Sequence, residues 1–371
     1  MPSVIVCGAG VFGAATARQL AREGWEVTLV EPVAAGHVRS GSGGESRLIR
    51  CSHGTDAWHA QSARRALELW RDADPALVAE AGVAWFARSE DGWEAASEAT
   101  LRDLGIPCER VDPATLYPSV RADDLAFTLF EPEAGVLRAR DATRTLAVQA
   151  VAAGARVVAA AARPDGARVV AGDEVLEADH VVWACGAWLP ALFGELLSLR
   201  VTQQDVLFFG AGAQWTTPRV PGWVDYDGAF YGVGDLDGRG VKVSPDVEGP
   251  AIDVDAADRV VRPENLQLAR EYLARRFPAL QGAPLVGTRV CQYEITPDTR
   301  FVIAPHPEHP SVWLMGGGSG HGFKHAPALA ERMSGWLRGA DAPDARFALG
   351  DRAASSALRT AGEASSAIPR S

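Results

Sequence analysis

The sequence predicts a mixed α/β protein in which a parallel-sheet core is joined to a second region of antiparallel sheet and helix. Three observations lead there. Val4-Ile5-Val6-Cys7 is a short buried-strand pattern that runs into a glycine turn and then a helix. A second apolar run, Val27-Thr28-Leu29-Val30, follows at βαβ spacing and ends on Glu31. Far downstream, residues 265–276 and 326–337 read as helices, the first with Leu266, Leu268, Tyr272, Leu273 and Phe277 on or near one face.

The first element carries the most information. The turn after Cys7 is Gly8-Ala9-Gly10-Val11-Phe12-Gly13, a GxGxxG, and residues 14–23 read as the helix it opens. Strand, glycine turn, helix and a second strand closing on an acid form the Rossmann-type dinucleotide fingerprint. Gly8 permits the tight turn, Gly10 lets backbone approach a pyrophosphate, and Gly13 lets helix pack on strand. Val11 and Phe12 open the helix, whose free N–H groups suit an anion. Glu31 would accept hydrogen bonds from ribose hydroxyls and repel a 2′-phosphate, so the ligand is FAD or NAD rather than NADP. Residues 155–158 and 167–170 read as strands of a small meander, with Val157 a candidate for cofactor contact. The meander leads to His180-Val181-Val182-Trp183-Ala184-Cys185-Gly186-Ala187-Trp188. A strand closing on a small-x-Gly turn suits a second dinucleotide contact through Ala184, Gly186 and Trp188; it equally suits one more buried strand and turn.

Composition narrows the class. The 371 residues carry a net charge of −11 and are 47% apolar, a soluble globular balance with no basic patch for nucleic acid. No signal peptide is visible, and no apolar run approaches the ~20 residues needed to span a bilayer. The five cysteines (Cys7, Cys51, Cys108, Cys185, Cys291) are scattered without metal-ligand spacing. This argues against a disulfide scaffold or zinc site and fits a reducing cytoplasm best. Of 36 basic residues only Lys242 and Lys324 are lysines. In a chain so biased toward arginine, a retained lysine marks either chance or a need for a compact ammonium.

Further motifs extend the reading: Gly44-Glu45-Ser46-Arg47-Leu48-Ile49-Arg50, Phe130-Glu131-Pro132-Glu133-Ala134-Gly135-Val136-Leu137, Cys291-Gln292-Tyr293-Glu294-Ile295-Thr296-Pro297-Asp298 and Gly316-Gly317-Gly318-Ser319-Gly320-His321-Gly322-Phe323-Lys324. In order and from about residue 3 to Arg352, this series resembles the monomeric sarcosine oxidase family of D-amino-acid-oxidase-like flavoproteins. The resemblance implies FAD linked covalently through Cys291, a position that on its residues alone reads as a buried structural cysteine. It implies that Arg50 and Lys324 grip a substrate carboxylate, a guanidinium and ammonium orienting an amino acid. Arg47, with Ser46 before it, matches the arginine beside the flavin. Lys242 matches the lysine where oxygen is activated, and Tyr231 an active-site tyrosine. His321 matches a histidine over the flavin ring, and Gly318, Gly320, Gly322 and Lys324 lie in the loop whose N–H groups would stabilise charge on reduction. Both lysines of the chain therefore fall where the family needs one.

Two departures bear on substrate. Asp246 stands four residues after Lys242, where sarcosine oxidases have histidine, and Ser40-Gly41-Ser42-Gly43 replaces a histidine-containing run. Asp246 either contacts a substrate nitrogen or is a solvated loop acid after Pro245. A secondary, cyclic or aromatic amino acid, or an imino acid, is expected in place of sarcosine. The expected activity is oxidation of a C–N bond to an imine, with O2 reduced to H2O2, by a monomer. The rivals are a cyclic imine-acid oxidase of a secondary-metabolite pathway, an FAD dehydrogenase with another acceptor, and a flavin carrier without turnover. The expected organisation is discontinuous. Residues 1–81, 142–200 and 285–352 would form the FAD domain, residues 82–141 and 201–284 the substrate domain, and residues 353–371 a loose tail. His37, His53, His59, His180 and His325 read as surface or core residues.

Overall fold

The computed structural model describes residues 1–350, 352 and 353; nearly all of the expected tail lies outside them. The core is a six-stranded sheet in the order Val302–Pro305, Val312–Gly316, His180–Trp183, Ser3–Cys7, Glu26–Val30 and Arg156–Val158. All neighbours run parallel except the antiparallel pair at the Val302–Pro305 edge. The first strand shows why its sequence is apolar throughout. Val4 and Val6 pack into the core cluster that holds the helices, whereas Ile5 and Cys7 pack into the cluster on the other face. A parallel strand covered on both sides has no polar face. Helix Val11–Arg22 packs against both Ala139–Ala152 and Ala326–Leu337 on one side. A three-stranded meander, Ala162–Asp165, Arg168–Ala171 and Glu174–Leu176, covers the other.

Residues 155–158 do not belong to that meander. Arg156–Val158 pairs in parallel with Glu26–Val30 and extends the core sheet at its edge. Local periodicity identifies a strand without specifying its partner, and the edge position accounts for the misplacement.

The second region is an eight-stranded sheet in the order Leu285–Ile295, Arg200–Phe209, Val241–Pro245, Phe230–Val233, Gly222–Asp225, Val83–Ala87, Phe127–Glu131 and Glu109–Arg110. Helix Pro263–Arg276 packs on it through Ala269, Tyr272 and Leu273, within a cluster that includes Phe277 and Trp223. Strand Leu285–Ile295 pairs with Arg200–Phe209 along its whole length. The hydrogen bonding thus carries the second region past residue 285, where the sequence suggested a return to the core. A small sheet of Ser46–Ile49, Gly135–Arg138 and Val78–Ala79 lies at the junction.

An ionic network closes the far side of the eight-stranded sheet. Asp225, fully buried, accepts from Arg88 at 2.7 Å, from Arg276 at 3.3 Å and from Gly228 N–H at 2.9 Å. Asp225→Ala should therefore lower unfolding stability by about 1.5–3 kcal/mol, because the buried Arg276 keeps only its pair with Asp124, at 2.7 and 2.8 Å, and Arg88 loses its shortest partner. A shift of the urea midpoint, with the flavin spectrum of the folded protein unchanged, checks this.

Candidate active site

At the carboxyl ends of the core strands lies a cavity of about 530 Å³. Its wall includes Gly8, Gly10, Val11, Phe12, Glu31, Arg47, Ala184, Gly186, Trp188, Gly318, Gly320 and Gly322, all expected from sequence to meet a cofactor. Gly8 adopts φ +97°, and a Cβ there would stand 2.7 Å from Ala184 O. A Cβ on Gly13 would stand 1.8 Å from Gly8 O, so the third glycine of the turn serves packing and does not line the cavity. Helix Val11–Arg22 points its N-terminus at the cavity, with Val11 N–H donating to Ser42 Oγ at 2.9 Å. Glu31 Oε2 accepts from Ala9 N–H at 2.9 Å and Oε1 from Val33 N–H at 3.1 Å, which pins its carboxylate at the end of the second strand.

A smaller chamber of about 90 Å³ adjoins it and shares Arg47, Tyr293, Ser319, Gly320 and Phe323 with it. Its own wall includes Arg50, Tyr231, Asp246, His321 and Lys324, so the sequence-predicted substrate residues are brought together from four separate segments. Arg50 sits over the Trp85 ring, 4.9 Å from its centroid, and donates to Ser52 O. Burial lowers its pKa to about 10, against the opposing pull of Glu131. Lys324 Nζ donates to His321 O at 2.8 Å. Burial, and then the Arg50 charge, hold its ammonium well below the ordinary lysine range. A guanidinium and an amine whose charged forms burial disfavours face a closed space, so a bound carboxylate would restore the charge that burial opposes.

The Arg50 segment is set by Glu131 of the Phe-Glu-Pro motif. Glu131 is buried; Oε1 accepts from Ser52 Oγ at 2.6 Å and Trp85 Nε1 at 2.9 Å, and Oε2 from Cys51 N–H at 2.6 Å. Arg47, Tyr231, Lys242 and Cys291 form a second group. Arg47 Nη2 lies 3.5 Å from Cys291 Sγ, and Lys242 Nζ lies 4.9 Å from the Tyr231 ring centroid and 3.4 Å from Ser46 O. Burial opposes ionisation of Tyr231, but Lys242 and Arg47 outweigh it and bring its phenol below the ordinary range. Burial also lowers the Lys242 ammonium. Lys242, Ser46 and Cys291 line neither cavity; they stand directly behind Arg47 and Tyr231, which do.

Three corrections follow. Val157 is half exposed on the edge strand and lines neither cavity. Lys324 belongs to the small chamber and is not on the wall of the large one. His53 and His325, set aside from sequence, are buried with His59, and half-buried His321 joins them in one cluster. His53 Nε2 lies 2.9 Å from Arg50 Nη1, and His53 lines the chamber. Burial comes first, with the neighbouring Arg50 and Lys324 charges behind it, in holding His53, His321 and His325 well below the ordinary histidine range. One ring nitrogen of each lies within 4.8 Å of the others, but Arg50 and Lys324 beside them would repel a divalent metal. Tyr293 and Trp93 were also missed. The one local signal for His53 is its place three residues after Arg50, before Gly54 at φ +57°.

The family model for FAD-dependent oxidoreductases matches residues 3–336 of this chain. The chain belongs to that family. This FAD-dependent oxidoreductase is 28% identical over 354 residues to monomeric sarcosine oxidase of Bacillus sp. strain B-0618, covering 89% of this chain and 90% of that protein. It is 26% identical over 365 residues to N-methyl-L-tryptophan oxidase of Citrobacter koseri, covering 91% and 94%. Its fold is that of L-proline dehydrogenase from P. horikoshii, with a TM-score of 0.82 at 20% identity over 92% and 94% of the chains. It is also that of NikD, an unusual amino acid oxidase, with a TM-score of 0.78 at 22% identity over 94% and 98%. The large cavity of the oxidoreductase fits FAD by its own features: a glycine turn without room for side chains, a helix N-terminus, and a carboxylate at the second strand's end. No helix among the described residues is long and apolar enough to cross a membrane.

Proposed function

We propose that this enzyme oxidises the C–N bond of a small carboxylate-bearing secondary or cyclic amino acid to an imine, with O2 reduced to H2O2. The observation that carries the reading is the meeting of Arg50 and Lys324 in a chamber that shares a wall with the dinucleotide cavity. FAD, when bound, supplies the two-electron chemistry that connects substrate carbon to the electron acceptor.

The chain's own residues hold, orient and neutralise. The turn at Gly8, Gly10 and Gly13 and the helix behind it hold the diphosphate, and Glu31 holds the ribose. Arg47 and the loop of Gly318, Gly320 and Gly322 offer positive potential at the ring end. Arg50 and Lys324 take the substrate carboxylate, which turns the carbon next to nitrogen toward the shared wall. Among the described residues of the chamber wall Asp246 is the only acid, and it is buried. Its carboxylate oxygens bind the substrate N–H and take its proton as the bond to hydrogen breaks. The neutral imidazoles of His53 and His321 add no charge against that step. Lys242 stabilises the negative charge that builds on oxygen. At about 90 Å³ the chamber suits a small or cyclic substrate better than an aromatic one.

Cys291, beside Arg47, is the residue we assign to a covalent link with the cofactor. After acid precipitation of the purified protein, yellow colour should stay in the pellet, and in Cys291→Ser it should pass to the supernatant. Colour in the supernatant from the unmodified protein would remove Cys291 from that role and leave the oxidation chemistry standing. One observation favours a second reading, a dehydrogenase with another acceptor. Lys242 stands behind the chamber wall, with Arg47 and Tyr231 in front of it. Mixing substrate-reduced enzyme with O2 separates the two: reoxidation within the turnover time supports the oxidase.

A further inference from the structure

The large cavity holds an acid that the reading above does not use. Glu294 lies in the strand Leu285–Ile295, next to Tyr293, and lines the cavity. Its carboxyl is set among three backbone segments. A Cβ on Gly186 would stand 3.4 Å from Oε2, one on Gly41 3.9 Å from Oε2, and one on Gly318 3.3 Å from Oε1. Among the described residues its only side-chain hydrogen bond is from Gly318 N–H to Oε1, at a long 3.4 Å, and it forms no ion pair. Burial pushes its pKa up to about 7, with the Gly318 N–H alone opposing.

The surrounding charges do not change this. The titratable or charged side chains that line the cavity from neighbouring elements are Glu31, His37, Arg39, Arg47, Cys185 and Asp255. His321 lies on the glycine-rich loop, where its Nε2 pairs with Thr299 O. None of them contributes to the shift at Glu294. Gly186 is two residues from Ala184, whose carbonyl closes on Gly8 of the diphosphate turn. A diphosphate drawn to that turn brings negative charge toward a carboxyl that has no cation of its own. Ionised, the carboxyl would repel the ligand. Protonated, it has a free O–H at Oε2 to donate to a phosphate or ribityl oxygen.

We propose that Glu294 is a cofactor-binding residue that engages FAD as the neutral acid, so that FAD binding carries a proton into the protein. The inference rests on the family's cofactor and is independent of the amino-acid substrate. A carboxyl that must be protonated in the complex weakens binding by up to about tenfold per pH unit above its free pKa.

The test uses the full chain with Cys291→Ser, produced without flavin so that binding is reversible, and titrated with FAD by calorimetry. Between pH 7 and pH 8.5 the dissociation constant should rise by roughly tenfold or more, and two buffers of different ionisation enthalpy should report net proton uptake. With Glu294→Gln added, affinity should become flat over that range and uptake should vanish. An unchanged pH profile in the Gln variant, or no uptake in its parent, overturns the proposal. Should the Gln variant not fold, the infrared difference between FAD-bound and FAD-free protein decides. A new protonated-carboxyl band upholds the proposal and its absence overturns it. Neither readout involves turnover, so failure here would leave the proposed reaction untouched.

Discussion

Lys242→Met should slow the reaction of the reduced enzyme with oxygen by about 100- to 1000-fold, the loss expected for removing one preorganised charge at a site of developing negative charge. Reduction of the enzyme by substrate should change far less. The asymmetry follows from position. Lys242 is buried, with Tyr231 and the Ser46 carbonyl around its ammonium, whereas Arg50 and Lys324, the pair we propose for the carboxylate, line the chamber. Methionine keeps the length and apolar stem, so packing in strand Val241–Pro245 is retained. Stopped-flow measurement of the two half-reactions decides the matter. Equal loss in both would make Lys242 a support for Arg47 and Tyr231. No loss in the oxygen reaction would remove Lys242 from the oxygen site. The variant should also raise the Tyr231 phenol pKa, since Lys242 is the larger of the two charges that lower it.

Arg50→Ala should raise KM for carboxylate-bearing substrates by roughly 10- to 100-fold, the loss of a charge-assisted pair worth about 1.5–3 kcal/mol. The corresponding amide substrate, already poor, should respond little. A pH effect accompanies it. Carboxylate binding needs the protonated form of Lys324, and burial with the Arg50 charge depresses that ammonium in the free enzyme. kcat/KM should therefore be full at low pH with respect to this group and decline as pH rises through the depressed pKa. In Arg50→Ala the repelling charge is gone, so that decline should move to higher pH. A Lys324→Met variant should lack it. An unchanged KM in Arg50→Ala would place the carboxylate elsewhere, and an unmoved limb would mean that Lys324 does not control it.

Much of this site was visible in the sequence because its logic is local or compositional. The turn from Gly8 to Gly13 follows from backbone geometry within six residues. Glu31 follows from its place at a strand end; rarity singled out the two lysines, and the family resemblance gave them and Arg47 and Arg50 their expected roles. Each of these positions lies on a cavity wall, packs beneath one, or stands directly behind one. His53 was passed over because a single histidine after a strand resembles any buried histidine. Its role in the chamber depends on Arg50 beside it and on His321 and His325, which are more than 260 residues away. Val157 failed in the opposite way: a good strand pattern placed it at the core sheet's edge, half exposed.

The sequence by itself determined the parallel core and the dinucleotide turn, because these depend on short-range hydrogen bonding and on side-chain type. Tertiary structure alone decided which strand Leu285–Ile295 would join, and so where Cys291, Tyr293 and Glu294 come to rest. It alone also decided which groups are charged. The lowered Lys324, the neutral histidines and the raised Glu294 all owe their state first to burial, which sums over every surrounding atom and has no local signature in the chain.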